Sequence, residues 1–205
     1  MSDQITSRAV IQSYARGALI LTFFGEFWAL ATVPALTFLE RVLLFAVILI
    51  VAIALSIPSI SILRAAQHLS YNSSPEAMTK GKTISKWFAV VFFSEFATIG
   101  LANFLLNSTH HDEIIPLVTA LIVGIHFLPL ANIFRITAYY MTGTSISLLA
   151  VGALIALLFF KVTLGGLYAW ATVVGLGNAV ILWITALYVL SIGRRLLRLD
   201  LARSS

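Results

Sequence analysis

An all-α, polytopic membrane helix bundle is the fold class that three observations predict: an excess of apolar residues, a shortage of charge, and six long uncharged runs. The chain has 205 residues, of which 60% are hydrophobic and 10% charged, with a mean hydropathy of +1.00. Soluble domains carry about 25% charged residues. Too few charges are present to cover a water-facing surface, which excludes a soluble enzyme or a nucleic-acid-binding domain. The absence of cysteine removes disulfides, thiolate metal sites and thiol nucleophiles.

A helix needs about 20 apolar residues to cross a hydrocarbon core of roughly 30 Å. Six such runs occur, at about Gly17–Phe38, Val42–Leu63, Trp87–Leu106, Ile114–Phe134, Ser145–Phe160 and Leu167–Ile192. The first is too long and too interrupted for a signal-peptide core, so it should remain as a helix. The fifth is short, and continuation past Lys161 would lengthen it. Together the runs form one six-helix transmembrane domain over residues 1–205, arranged as three hairpins.

Charge sets the orientation. With the N-terminus inside, cytoplasmic segments hold Arg8, Arg16, Arg64, Lys80, Lys82, Lys86, Arg135, Arg194, Arg195, Arg198 and Arg203. Only Arg41 and Lys161 lie opposite. This is the positive-inside bias of a plasma (inner) membrane protein with both termini cytoplasmic. Trp87, Tyr139, Tyr140, Tyr168 and Trp170 fall near span ends, where headgroup contact is expected. Arg64–Lys86 is the one long connection, broken by Asn72-Ser73-Ser74-Pro75, and its basic character suits anionic lipid. Arg194–Arg203 alternates arginine with leucine, as a surface-lying amphipathic helix would.

The first two hairpins read as a repeat. Phe23-Phe24-Gly25-Glu26-Phe27 aligns with Phe92-Phe93-Ser94-Glu95-Phe96. Leu49-Ile50-Val51-Ala52-Ile53, Pro58 and Arg64 align with Leu121-Ile122-Val123-Gly124-Ile125, Pro129 and Arg135. Glutamate, proline and arginine are scarce here, so their matched placement is informative. Residues 17–64 and 87–135 are therefore expected to be parallel copies. The third hairpin, residues 145–195, lacks the glutamate and proline, and a pseudo-threefold bundle is an open expectation.

Among the 13 Lys and Arg and the 8 Asp and Glu, only Glu26 and Glu95 fall well inside the predicted spans. Glu26 lies about 15 Å beyond Arg16, and Glu95 about 13 Å beyond Lys86. His126 lies about 13 Å before Arg135, and Asn178 reaches a similar depth from the other side. An acidic residue at a helix centre costs roughly 2.5–3.5 kcal/mol to insert and faces the bundle or a wet cavity. Pro58 and Pro129 each remove a backbone hydrogen bond and should bend their helices. For Pro129 the freed carbonyl is that of Ile125, so Gly124 and His126 sit where backbone lining a cavity is expected. The aromatic rings around each glutamate could offer a cation-binding face or meet lipid.

The segment Val123-Gly124-Ile125-His126-Phe127-Leu128-Pro129-Leu130-Ala131 resembles a V-G-x-H-F-x-P-x-A helix in small bacterial membrane proteins of uncharacterised activity. The resemblance spans one helix and implies that His126 and Pro129 belong to a meaningful site, without implying an activity. No phosphate loop, GxSxG elbow or HExxH spacing is present. No cofactor or metal is implied, and the partners are lipid and an unidentified small solute or ion; an oligomer is open. The leading expectation is a small proton- or cation-coupled transporter using Glu26, Glu95 and His126. A non-catalytic assembly protein and an intramembrane lipid enzyme are the competing classes.

Overall fold

The computed structural model describes residues 7–69, 75–160, 162–164 and 167–204. Six helices carry the fold: α1 (Ser7–Leu30), α2 (Phe38–Gln67), α3 (Pro75–Ser108), α4 (Ile115–Phe134), α5 (Thr137–Phe159) and α6 (Ala169–Ser204). Each is long and apolar enough to cross a membrane. The shortest, α4, has 20 residues and is about 30 Å long at 1.5 Å per residue. The chain is an integral membrane protein of all-α, polytopic architecture.

Local chemistry sets the turns. Glu40 Oε2 accepts from the Thr37 backbone N–H at 2.8 Å and lies 2.8 Å from the Thr37 hydroxyl, closing a capping box that starts α2. Arg41 donates from Nε to the Leu36 carbonyl at 2.9 Å, which anchors the same turn. Arg135 ends α4 in the left-handed region (φ 54°), and its neighbour Ile136 donates to the Ala131 carbonyl. Two residues thus reverse the chain from α4 into α5. Between α5 and α6, Thr163–Leu164 and Leu167–Tyr168 pair as a minimal antiparallel hairpin.

Four sequence expectations change. The fifth span is full length because it begins at Thr137; it stops at Phe159 and does not run past Lys161, which lies outside the described residues. Arg194–Arg203 is no separate surface helix but the continuation of α6. The Arg64–Lys86 connection is largely helical: α2 runs to Gln67 and α3 starts at Pro75, while 72–74 lie outside the described residues. Tyr139 is a core residue, 6% exposed, with its ring edge-on to Phe127 and Phe134.

The helices pack in the order α2, α1, α6, α5, α4, α3, with α6 also touching α2 and α4. A threefold arrangement of hairpins would repeat the α4/α5 and α6/α1 contacts between α2 and α3. Among the described residues that third contact is not substantially formed. The α3 span packs extensively only on α4, and none of it is buried within the bundle.

Small residues make the close seams, because lipid is as apolar as the side chains and burial alone does not drive helices together. Gly124 of α4 faces Gly143 and Ser147 of α5: a Cβ on Gly143 would lie 2.6 Å from the Gly124 carbonyl oxygen. In the α1/α6 seam, a Cβ on Gly175 would lie 3.2 Å from the Trp28 carbonyl oxygen. Gly143→Ala is expected to lower stability by about 1–3 kcal/mol through overpacking. Gly100→Ala, at a position with nothing within 4 Å, should leave the melting temperature unchanged or raise it. Thermal unfolding in detergent measures both; equal losses would refute the close-seam account.

Candidate functional site

The register between neighbouring helices places the polar residues in depth. A Cβ on Gly25 would lie 2.5 Å from the Trp183 indole nitrogen and 3.3 Å from the Ala179 carbonyl oxygen. Residues 179–183 of α6 are therefore level with Gly25 of α1. On the opposite side of α6, Thr185 and Thr142 hydroxyls are 2.7 Å apart, and Gly177 abuts Leu149. Antiparallel packing then sets residues 143–147 of α5 opposite 179–184 of α6. Gly124 completes the sequence by packing on Gly143 and Ser147. Glu26, Glu95, His126, Ser147, Asn178 and Trp183 thus lie within about one helical turn of a common level.

One pair meets directly. His126 Nε2 lies 3.1 Å from Glu95 Oε2, with the two side chains 8% and 13% exposed. The contact has hydrogen-bond length without the alignment of a full hydrogen bond. It spans α3 and α4. Further along the same seam, Thr119 Oγ1 donates to Asn103 Oδ1 at 3.4 Å. These are polar ties on a helix that has little other support.

Glu26 is not part of that pair: no hydrogen bond or ion pair joins it to Glu95 or His126, and α1 has no substantial contact with α3 or α4. Its Oε1 is buried without a partner in the protein. Asn178 is fully buried, and both its amide nitrogen and its oxygen lack protein partners. Trp183 Nε1, Ser147 Oγ and Thr172 Oγ1 are in the same condition. Such a group costs about 1–3 kcal/mol when nothing satisfies it, and hydrocarbon offers it no partner.

The remaining sequence candidates take other places. Pro58 and Pro129 lie inside continuous helices, Pro58 half-buried and Pro129 exposed. Gly124 is buried at the α4/α5 contact, where its lack of a side chain admits Ser147. Arg64, Lys86 and Arg135 are exposed, and the side chains of Lys80 and Lys82 lie outside the described residues. Phe23, Phe27, Phe93 and Phe96 point outward at more than half exposure, so the rings flanking each glutamate chiefly meet lipid. His111 and Glu113 approach to 3.9 Å in an exposed turn. Among the described residues no three His, Asp or Glu side chains gather as a metal site would require.

Sequence reading missed Trp183, Ser147 and the Thr142/Thr185 pair, because hydropathy counts indole and small hydroxyl residues as ordinary membrane filler. Spacing supplied one usable signal: Ser147 and Gly143 form a small-xxx-small pattern on α5, which marks a helix contact.

The fold and site define a class: a six-helix integral membrane protein with a polar level deep in its bundle. Comparison with known proteins finds no family model that matches the chain, and no similar curated protein or solved structure.

A double-mutant cycle tests the Glu95–His126 contact. Glu95→Gln and His126→Leu should each destabilise, with a coupling of about 1 kcal/mol, within the range of interhelical polar contacts in membranes. Reversible unfolding in bicelles measures it. Additivity within about 0.3 kcal/mol would show that the two side chains do not interact.

Proposed function

We propose that this protein is a small membrane carrier for protons or a small cation, its site being the polar level formed by Glu26, Glu95, His126 and Asn178. One observation supports the reading above all. Asn178, Glu26, Trp183 and Ser147 present buried hydrogen-bonding atoms that the protein itself does not satisfy. Residues kept only to hold helices together are satisfied by other protein groups, since the protein–protein hydrogen bond is their contribution. Glu95 and His126 at least approach each other to 3.1 Å across two helices, whereas Asn178 has no protein partner near either of its polar atoms. A group whose partner arrives and leaves is left open by its own chain.

The chemistry divides accordingly. The carboxyls hold a cation or exchange a proton, and His126 passes a proton to or from Glu95. The Asn178 amide and the Trp183 indole N–H orient water or solute beside Glu26. The arginine-rich end, where α1 begins and α6 ends, is the cytoplasmic end in this reading.

The two glutamates also sit in matching hairpins, which supports a duplicated ancestry for residues 17–64 and 87–135. Both hairpins carry glutamate on the first helix and proline and arginine on the second. Where α4 places His126, the aligned stretch of α2 has Ala54 and the buried Leu55. On this reading one copy holds a paired carboxyl and the other an open one.

A second reading has its own support. The span of α3 leans on α4 almost alone, and Glu95–His126 is the clasp that an assembly protein would use to keep such a helix in place.

Proteoliposomes containing a pH-sensitive dye distinguish the two. The carrier reading expects proton flux driven by a pH or cation gradient, with Glu26→Gln and Glu95→Gln each lowering it roughly tenfold or more. Wild-type protein that moves neither protons nor cations, while Glu95→Gln lowers the melting temperature, would transfer the proposal to assembly.

A further inference from the structure

The end of α6 forms a surface cleft of ≈ 530 Å³, lined by Leu187, Leu190, Arg194, Arg195, Arg198 and Leu199 among others. The spacing is helical: Leu187, Leu190, Arg194 and Arg198 recur every three or four residues and share one face over about 16 Å. Along that face the order is apolar first and basic second. Leu187 is 55% exposed at the top of the cleft, and the three guanidinium groups follow below it.

None of Arg194, Arg195 and Arg198 has a hydrogen-bond or ion-pair partner among the described residues. Asp200, two residues further on, forms no ion pair with them either. Guanidinium groups recognise phosphate through paired N–H donors, so the cleft offers an unneutralised phosphate site. It lies at the same end as the N-terminus of α1, because Gly193 abuts Tyr14. The opposite end of the spans has only Arg41 within the described residues, and its Nε is already bonded to the Leu36 carbonyl.

We infer that this cleft is a binding site for one anionic phospholipid, its headgroup phosphate held by Arg194, Arg195 and Arg198 and its acyl chain lying along the exposed Leu187. Charge complementarity selects the headgroup. The leucine-then-arginine order matches the tail-then-headgroup order of a lipid standing in its leaflet. The exposed stripe is continuous with the membrane-facing surface of α6, where Ile184 and Leu187 are more than half exposed. A lipid therefore enters laterally, without any opening in the bundle. Such a site ties the end of α6, which extends beyond the apolar span, to the membrane surface.

Native mass spectrometry of the delipidated, full-length protein tests this, with phosphatidylglycerol, phosphatidylcholine and inorganic phosphate as separate probes. One phosphatidylglycerol should bind at least about tenfold more tightly than phosphatidylcholine, since each basic residue near an anionic surface contributes about fivefold. The triple variant Arg194→Gln/Arg195→Gln/Arg198→Gln should lose that preference. The single variant Arg198→Gln, far from the core, should lose about fivefold and serves if the triple variant does not fold. The control Lys86→Gln/Arg135→Gln should retain the preference. Equal binding of the two lipids by the wild type would overturn the proposal. So would an equal loss in the control, which would mean general charge attraction, and so would inorganic phosphate competing as well as the lipid, which would mean a free-phosphate site.

Discussion

Hydrocarbon cannot hydrogen-bond, and the rest of this structure depends on that constraint. Backbone groups satisfy it by forming six uninterrupted helices. Hydroxyl side chains satisfy it locally: Thr22, Ser59 and Thr185 each donate to the carbonyl four residues earlier at 2.7–2.8 Å. Amides, carboxyls, imidazole and indole cannot fold back so easily. They need a neighbour at the right level, and the neighbour exists for Glu95 but not for Asn178. The contrast between those two residues gives the bundle its chemical character.

The seams that set those levels are built from absences of side chain. Gly25 admits the Trp183 ring, Gly124 admits Ser147, and Gly177 admits Leu149. Each close approach fixes the vertical register of two helices. Three such registers in succession carry the level of Glu26 across α6 and α5 to His126. Packing and site are thus one arrangement, since shifting any seam by a turn would displace a polar group by about 5 Å. The peripheral helices differ. With α6 at its centre the bundle holds α1 and α5 firmly, whereas α3 relies on α4 and on the polar contacts between them.

Much of this was legible in the sequence because a run of 20 apolar residues has few alternatives to a span. Six spans followed, as did the unusual depth of Glu26, Glu95, His126 and Asn178. The start of α5 was not legible. Thr137–Thr144 reads as too polar for lipid, yet Tyr139, Thr142 and Gly143 face protein, where Thr142 bonds to Thr185 and Gly143 fits Gly124. Hydropathy scores a residue against lipid and misjudges one that meets another helix. Tyr139 was misplaced at the headgroups for the same reason. The pairing of Glu95 with His126, and the separation of Glu26 from both, required knowing that α3 packs on α4 and α1 on α6. Spacing along one chain gives depth but not azimuth.

The central claim is that the polar level is hydrated or solute-bearing inside an otherwise dry bundle. Water-edited solid-state NMR on proteoliposomes, with labelled asparagine side chains and tryptophan indoles, measures it directly. The account predicts rapid magnetisation transfer from water to the Asn178 amide and the Trp183 indole N–H, at a rate approaching that of the exposed Trp87. Asn178 and Trp183 signals that stay as dry as buried core residues would contradict it.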